Sequence, residues 1–460
     1  MIPRILLCAG ASGSGKTLIT CGILQVLKNR GMKTASFKCG PDYIDPMFHT
    51  KVIGTSSGNL DTFFAGNEIV KYLLSENTRD MDIAVMEGVM GYYDGAGGMT
   101  TKASAYDLAS ATDTPAVLIV NCKGMSLSVV PYIKGFMEYR KDSRIRGVIL
   151  NRMSGMLFPR IKKAIEEELS ISVIGYVPEV KDCLIESRHL GLVMPSEIES
   201  FHEKLMKLAG ILEKTLDMNL FIQLAESASE LSGEKPWKED SSYNFRLKEK
   251  VRIGISRDEA FCFMYRDNLK LLKEMGAEPV YFSPLHDTVL PENLDGLILY
   301  GGYPELFADV LEKNKTMRES VLDAYRSGMV IMAECGGFMY LHDEFEDMNG
   351  IAHKGAGIIR GKAYKTEKLG RFGYITLKNT GAKAFGQETG ESPGHEFHYF
   401  DSENCGDDFT AEKPFSTRSW KCLHSGDRLL AGFPHFFYYG NPDLPKAFLM
   451  KCLEFKRERK

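Results

Sequence analysis

The chain has 460 residues, more than one ordinary domain holds, and this length predicts two domains. A hydrophobic share of 44% is typical of a globular protein, and a formal net charge of −4 argues against nucleic acid or an acidic membrane surface as a partner. The ten cysteines form no CxxC pair, and every apolar run is too short to span a bilayer. We therefore expect a globular, cytoplasmic protein with reduced thiols and no membrane partner.

The first 195 residues alternate short apolar segments with helical ones. Several apolar segments are continuous, as strands covered on both faces must be. This alternation predicts a doubly wound parallel sheet of the α/β class. The predicted strands are 5–9, 34–37, 83–86, 116–120, 147–150 and 173–177.

A helical segment and a linker are predicted in the middle of the chain, before a second α/β domain. Apolar residues repeat at helical spacing between positions 201 and 212, and the polar segment 232–250 contains glycine and proline. A new alternation of strands and helices then begins at Val251. Its predicted strands are 251–255, 279–282, 297–300 and 330–333. The predicted parts are 1–195 (first domain), 196–250 (helical segment and linker), 251–445 (second domain) and 446–460 (last helix and basic tail).

Residues 10–17, Gly-Ala-Ser-Gly-Ser-Gly-Lys-Thr, match the phosphate-loop pattern G-x-x-x-x-G-K-[ST] in full. The segment follows a predicted strand and opens a predicted helix, which is the context that the pattern requires. Its glycines allow backbone N–H groups to face phosphates, and the helix N-terminus adds partial positive charge. We therefore predict ATP binding there, with the Thr17 hydroxyl on Mg²⁺. The predicted ATP-binding residues are Gly13, Ser14, Gly15, Lys16 and Thr17.

Four carboxylates follow strands of the same predicted sheet. Asp42 and Asp45 lie in the turn after the second predicted strand. Glu87 ends the next one, and Asp94 follows it by seven positions. Because the carboxyl ends of neighbouring strands converge on one crevice, we expect these side chains near the phosphate loop. The alternative role for the aspartates is the capping of turns.

Cys335 follows the predicted strand 330–333 in the segment Ala-Glu-Cys-Gly-Gly. Small residues beside a nucleophile permit the sharp strand-to-helix turn that exposes it. The Gly336 N–H is expected to face an oxyanion, and the new helix is expected to favour a thiolate. A second glycine loop contains Gly302, the other expected oxyanion donor. The alternative is a buried, inert cysteine.

A thiol nucleophile needs a base, and three histidines are candidates: His395, His398 and His435. The first two are three positions apart with a Glu and a Phe between them. The zinc pattern H-E-x-x-H needs a spacing of four on a helix, so we expect no metalloprotease site. The pattern alone does not choose among the three histidines.

Nearly the whole chain resembles the cobyrinic acid a,c-diamide synthase family, with its shared segments in the same order. The resemblance implies an N-terminal P-loop NTPase domain of the dethiobiotin-synthetase type and a C-terminal class I glutamine amidotransferase domain. The segments that carry it are 10–17, 37–46, 58–61, 87–95, 147–152, 188–192, 257–263, 301–305, 333–337 and 394–399.

The resemblance also implies roles for the candidate residues. Cys335 would attack the side-chain amide of glutamine, and His435 would activate it. The ammonia would displace phosphate from a substrate carboxylate that ATP has phosphorylated, and this would amidate the a and c acetates of cobyrinic acid in cobalamin synthesis. Family members are often homodimers. The expected metal ligands are Thr17, Asp45 and Glu87, and the residues expected at the substrate or the transferred phosphoryl group are Asp42 and Asp94.

The chain departs from many class I glutamine amidotransferases at one position. Those enzymes carry an acid two residues after the histidine, where this chain has Phe437. The departure agrees with a Cys–His dyad and leaves open whether a backbone carbonyl or an acid distant in sequence orients His435.

Other functions compete with this interpretation. Nickel-sirohydrochlorin and hydrogenobyrinic acid are alternative substrates for the same chemistry. Cobyric acid synthase is a further alternative; it resembles these enzymes but amidates four other side chains, and it is expected to differ in residues 40–46. Arg188 and His189 are candidates for binding the carboxylates of such a tetrapyrrole. A non-catalytic P-loop switch would carry a second lysine early in its loop, and this loop begins Gly10-Ala11 instead.

Overall fold

The computed structural model describes residues 2–180, 195–231, 233–381 and 383–459. The chain divides into two compact units, residues 1–236 and 237–460. Arg188 and His189 lie outside the described residues. Within those ranges, no helix has both the length and the apolar character needed to cross a membrane.

The first unit is built on a parallel sheet of seven strands. These strands are β1 (Arg4–Ala9), β2 (Thr34–Cys39), β3 (Ser56–Leu60), β4 (Ile83–Glu87), β5 (Ala116–Asn121), β6 (Ile145–Asn151) and β7 (Ser172–Val177). Their order is β3-β2-β4-β1-β5-β6-β7, and every neighbouring pair is parallel. All six predicted strands are present. The strand missing from the prediction is β3, because Ser-Ser-Gly-Asn-Leu lacks an apolar run.

The helices of this unit include the predicted helical segment. They are α1 (Lys16–Asn29), α2 (Ile44–Phe48), α3 (Thr62–Asn77), α4 (Ala105–Ala111), α5 (Val129–Glu138), α6 (Phe158–Leu169), α7 (Pro195–Thr215) and α8 (Met218–Glu226). Leu205, Leu208 and Leu212 of α7 are fully buried in the core of the first unit. Each contributes about 1.5–3 kcal/mol of hydrophobic stabilisation. A side chain at Gly22 of α1 would collide with Leu212, so these two helices pack closely.

The second unit combines a doubly wound sheet with two others. Its strands are β8 (Val251–Ser256), β9 (Ala277–Phe282), β10 (Gly296–Leu299), β11 (Val330–Glu334), β12 (His342–Glu346), β13 (Ala352–Lys354), β14 (Ile359–Lys365), β15 (Arg371–Asn379), β16 (Ser392–His398), β17 (Phe400–Ser402), β18 (Phe409–Glu412), β19 (Ser419–Cys422), β20 (His424–Ser425), β21 (Leu429–Gly432) and β22 (His435–Phe436). Its helices are α9 (Arg266–Met275), α10 (Ala308–Lys313), α11 (Lys315–Arg326), α12 (Gly336–Tyr340) and α13 (Asp443–Arg459).

The three sheets of the second unit differ in size and strand order. The main sheet runs β20-β21-β11-β10-β8-β9 and is parallel except for the short edge strand β20. The other two sheets run β13-β12-β14-β17 and β19-β18-β15-β16-β22. The predicted α/β class is therefore confirmed for both units, whereas the strands between residues 342 and 436 went unpredicted. Several of those strands alternate buried and partly exposed residues, so they show no continuous apolar run.

Candidate active sites

The phosphate loop connects β1 to α1 and adopts a conformation that requires glycine. Gly13 and Gly15 have φ of 75° and 92°, in the left-handed region. Asn151 Nδ2 donates to the Ser14 carbonyl at 2.8 Å, and a Cβ on Gly15 would collide with that amide. The loop is thus held open by a side chain from the end of β6, and its backbone N–H groups remain available to phosphate.

Lys16 and Thr17, the first residues of α1, are held by the phosphate loop and by residues at and just after the end of β4. Lys16 Nζ donates to the carbonyls of Ala11 at 3.1 Å and of Met90 at 2.6 Å. Thr17 Oγ1 donates to Glu87 Oε1 at 2.6 Å. Burial and the nearby Lys38 ammonium lower the pKa of Lys16. The structure therefore brings the predicted phosphate-binding lysine and metal-binding hydroxyl together with Glu87.

Lys38, at the end of β2, lies among three of the four predicted carboxylates. Its Nζ contacts an Asp45 oxygen, lies 2.8 Å from Glu87 Oε1 and lies 3.9 Å from Asp42 Oδ2. Although burial opposes the charge, these carboxylates hold the pKa of Lys38 well above its usual value. Lys38 is not among the site residues predicted from the sequence. A single lysine in a strand belongs to no motif with a fixed spacing. Its proximity to the carboxylates becomes visible only when the strand ends converge in the folded sheet.

The residues around Thr17 fit a magnesium ion that completes its coordination on phosphate. Glu87 Oε2 is buried and accepts no hydrogen bond within the described part of the chain. The described part of the chain contains no group of three or more His, Cys, Asp or Glu side chains that could hold a metal ion without other ligands. Mg²⁺ needs only one or two carboxylates with phosphate oxygens and water, so the donors Thr17, Asp45 and Glu87 suit it.

Asp94 belongs to a different part of this region from the Lys38 cluster. Its Oδ2 accepts a hydrogen bond from the Gly91 N–H at 2.9 Å. It lines a cavity of about 630 Å³ that also reaches Gly10 of the phosphate loop. The other lining residues include Arg140 and five aromatic residues, Tyr92, Tyr93, Tyr132, Phe136 and Tyr139.

Cys335 occupies a strained turn between β11 and α12. Its φ of 46° and ψ of −105° are outside the regions that non-glycine residues normally adopt. Strain of this kind recurs at strand-to-helix turns that present a nucleophile. A Cβ on Gly336 would lie 2.8 Å from Pro304 Cδ and 3.1 Å from the Gly302 nitrogen. The two predicted oxyanion donors, Gly302 and Gly336, are therefore neighbours beside Cys335.

His435 is the histidine beside Cys335. A Cβ built on Gly301 would lie 3.3 Å from Cys335 Cβ and 2.5 Å from Cε1 of the His435 ring. Only the absence of a side chain at Gly301 leaves room for both groups there. His395 stacks on His435 with ring centroids 4.8 Å apart. His398 instead stacks on Phe433.

Burial governs the ionisation of both side chains. It raises the pKa of the Cys335 thiol, and the nearby Glu305 carboxylate adds to this shift. Burial also lowers the pKa of His435 to about 3. The sequence predicts that the new helix favours a thiolate, whereas burial of the sulfur opposes that charge and α12 has only five residues to offset it.

The structure also shows Glu334 beside His435, a contact absent from the sequence analysis. Glu334 Oε2 lies 3.4 Å from His435 Nδ1, and both side chains are buried. The position where related enzymes carry an acid, Phe437, packs edge-on against Tyr265 at 5.3 Å between ring centroids. The only sequence signal was the acid directly before Cys335, about 100 positions away from the histidine.

Family models match both halves of the chain. Residues 5–192 match the CobQ/CobB/MinD/ParA nucleotide-binding domain, and residues 252–419 match the CobB/CobQ-like glutamine amidotransferase domain. The chain is 37% identical over 460 residues to the cobyrinate a,c-diamide synthase of Caldanaerobacter subterraneus subsp. tengcongensis, covering 99% of this chain and 100% of the relative.

Two other relatives with the same name match equally long stretches. The protein of Thermoplasma volcanium is 34% identical over 464 residues, with 100% of this chain and 99% of the relative covered. The protein of Priestia megaterium is 34% identical over 466 residues, with 99% and 98% covered. Similarity at this level over the full length shows that the chain belongs to the cobyrinate a,c-diamide synthase family.

Proposed function

We propose that this chain converts the a and c acetate carboxylates of cobyrinic acid into amides, using ATP and glutamine. The observation that carries the proposal is the presence of two chemically different sites on one chain. One is a phosphate loop whose Thr17 contacts Glu87, and the other is a strained Cys335 with His435 beside it. The names of the full-length relatives support this substrate over nickel-sirohydrochlorin.

In the first unit, the loop N–H groups and Lys16 would bind the phosphates of ATP. Magnesium, when bound by Thr17, Asp45 and Glu87, would offset the charge on the phosphates. The substrate carboxylate attacks the γ-phosphorus, ADP leaves, and an acyl phosphate forms. Asp42 and Asp94 are proposed at the substrate or the transferred phosphoryl group. Lys38 keeps the charge of the surrounding carboxylates balanced, so that an anionic substrate can approach them.

In the second unit, His435 would take the proton of the Cys335 thiol as the sulfur attacks the glutamine amide. The N–H groups of Gly302 and Gly336 are proposed to bind the resulting oxyanion. Ammonia then leaves with the proton returned by His435, and water releases glutamate from the thioester. The free ammonia attacks the acyl phosphate in the first unit, and phosphate departs as the amide forms.

We further propose that the two compact units correspond to the synthetase and amidotransferase domains. A cytoplasmic location is supported by nine free cysteines among the described residues, which suit a reducing compartment. A homodimer is proposed from the resemblance to the family. Size-exclusion chromatography with light scattering would give one or two chains per particle and so decide the oligomeric state.

The activity is tested by removing the thiol while supplying ammonia directly. Cys335→Ala should lose glutamine-dependent amidation of cobyrinic acid but keep amidation from an ammonium salt, because the acyl phosphate forms at the other site. Product formation is followed by mass spectrometry. Cys405→Ala, which removes another thiol of the second unit, is the control and should use glutamine normally. Glutamine use by Cys335→Ala at the wild-type rate would contradict the proposal.

A further inference from the structure

The base in the second unit has a buried acidic neighbour at one of its ring nitrogens. Cε1 and Nε2 of His435 lie 2.5 Å and 3.4 Å from the Cβ position of Gly301, which is 3.3 Å from Cys335 Cβ. The other ring nitrogen, Nδ1, lies 3.4 Å from Glu334 Oε2. The imidazole thus has Cys335 near its Cε1–Nε2 edge and a carboxylate near Nδ1, which is the order of nucleophile, histidine and acid in a triad.

Glu334 is fixed in this position by the backbone. It is the last residue of β11, directly before the nucleophile, and pairs with Gly432 of β21. The N–H of Phe436, the residue after the histidine, hydrogen-bonds to its carboxylate. Glu334 is 1% exposed and His435 is 2% exposed, so both side chains are shielded from solvent. One of its oxygens, Oε1, has no hydrogen-bond partner among the described residues.

A carboxylate at this position would assist the chemistry. When His435 takes the thiol proton, a positive charge forms in a site from which water is excluded. An isolated buried charge of this kind costs several kcal/mol, and an opposite charge in contact offsets much of that cost. Phe437 occupies the position where related enzymes carry the acid, and its ring contributes no charge.

We propose that Glu334 is the positioning residue of the glutaminase site: its carboxylate accepts a hydrogen bond from His435 Nδ1–H, which leaves the Nε2 lone pair directed towards Cys335, and it stabilises the imidazolium that forms. The acid of the triad thus comes from the strand before the nucleophile instead of from the segment after the histidine. This inference rests on the proposed function, because it assigns a role within glutamine hydrolysis.

The test compares three variants in steady-state glutaminase assays. Glu334→Gln keeps the shape and removes the charge, so kcat should fall about 100-fold or more while KM for glutamine changes less than about twofold. Glu334→Asp keeps the charge and should have a kcat between those of the wild type and Glu334→Gln. The matched control is Glu312→Gln, which breaks another Glu–His contact, 3.0 Å to His353, and should retain the wild-type kcat.

Ammonium-dependent amidation separates this inference from the proposed function. The three variants should keep it, since the first unit is unchanged, and a wild-type enzyme without glutaminase activity would refute the function itself. A kcat of Glu334→Gln within threefold of the wild type would overturn the positioning role. Equal losses in Glu334→Gln and Glu334→Asp would also overturn it, because they would indicate packing. If Glu334→Gln does not fold, the Asp and Asn variants make the same comparison.

Discussion

At the residue scale, the most consequential side chain is one that no motif marks. Lys38 is 5% exposed and contacts carboxylates from two neighbouring strand ends. Asp42, Asp45 and Glu87 converge on this one cation. Burial raises the pKa of Glu87, and burial with the neighbouring Asp45 raises that of Asp42, whereas the Lys38 ammonium lowers both. Lys38 thus offsets the negative charge of these carboxylates inside the first unit.

Replacing this cation should destabilise the first unit. Lys38→Met is expected to lower its free energy of unfolding by about 3–5 kcal/mol, because it leaves buried carboxylates without their partner. Urea denaturation followed by circular dichroism measures the change. Both tryptophans, Trp237 and Trp420, lie in the second unit, so their fluorescence identifies its separate transition.

The control for this experiment is Lys71→Met, which removes an exposed ion pair with Glu68. Exposed ion pairs contribute about 0–1 kcal/mol to stability, so the urea midpoint of Lys71→Met should hardly differ from that of the wild type. Equal stability of Lys38→Met and the wild type would show that the carboxylates do not depend on the lysine.

At the element scale, the turns that carry the reactive groups depend on single glycines. Gly15 caps α1 in the left-handed conformation against the Asn151 amide. Gly15→Ala should therefore weaken ATP binding at least about tenfold, because the left-handed conformation alone costs about 1–2 kcal/mol with a side chain. Isothermal titration calorimetry with ATP and Mg²⁺ measures the affinity.

Gly210→Ala is the matched control, since this exposed glycine of α7 has open space around its Cβ position. It should bind ATP normally and gain about 0.5–1 kcal/mol of stability from the helical preference of alanine. Unchanged ATP affinity in Gly15→Ala would mean that the loop tolerates another conformation.

A second element-scale prediction concerns acid stability. His342, at the start of β12, is buried between the Phe338 carbonyl and the Ser402 hydroxyl, and burial lowers its pKa to about 4. Below about pH 6.5 this histidine binds a proton in the unfolded chain but stays neutral in the folded chain. The free energy of unfolding therefore falls as the pH drops from about 6.5 towards 4. From pH 7.5 to pH 5, this one histidine should cost about 2 kcal/mol.

His342→Gln should remove that share of the pH dependence, measured by denaturant unfolding with tryptophan fluorescence at the two pH values. His286→Gln, at an exposed histidine, should leave the dependence unchanged. The same loss of stability at pH 5 in His342→Gln and the wild type would refute a buried neutral imidazole at this position.

Sequence patterns predicted the elements and sites that have a fixed local spacing. The phosphate loop, the Cys335 turn and most parallel strands belong to this class. Lys38 and Glu334 do not, because their partners come from elements that only the folded sheets bring together. The strands of the two further sheets of the second unit were missed for the related reason that their alternating burial gives a weak apolar signal. The roles assigned to individual site residues stay predictions.

At the scale of the whole molecule, one candidate site lies in each compact unit, so single substitutions should separate the two proposed half-reactions. Lys16→Ala is expected to abolish ATP-dependent amidation, because the phosphates lose their cation, while glutaminase activity continues. Phosphate release and glutamate release, measured in parallel, give the two rates. Loss of glutaminase in a folded Lys16→Ala protein would contradict separate sites.

The central claim is amidation of a corrinoid, and a mass-spectrometric assay of the purified protein tests it most directly. The enzyme receives ATP, Mg²⁺ and glutamine with cobyrinic acid or, in parallel, nickel-sirohydrochlorin. We expect two successive carboxylate-to-amide conversions of cobyrinic acid, much faster than any conversion of the nickel compound. A preference for nickel-sirohydrochlorin, or no amidation of either compound by folded, ATP-binding protein, would contradict it.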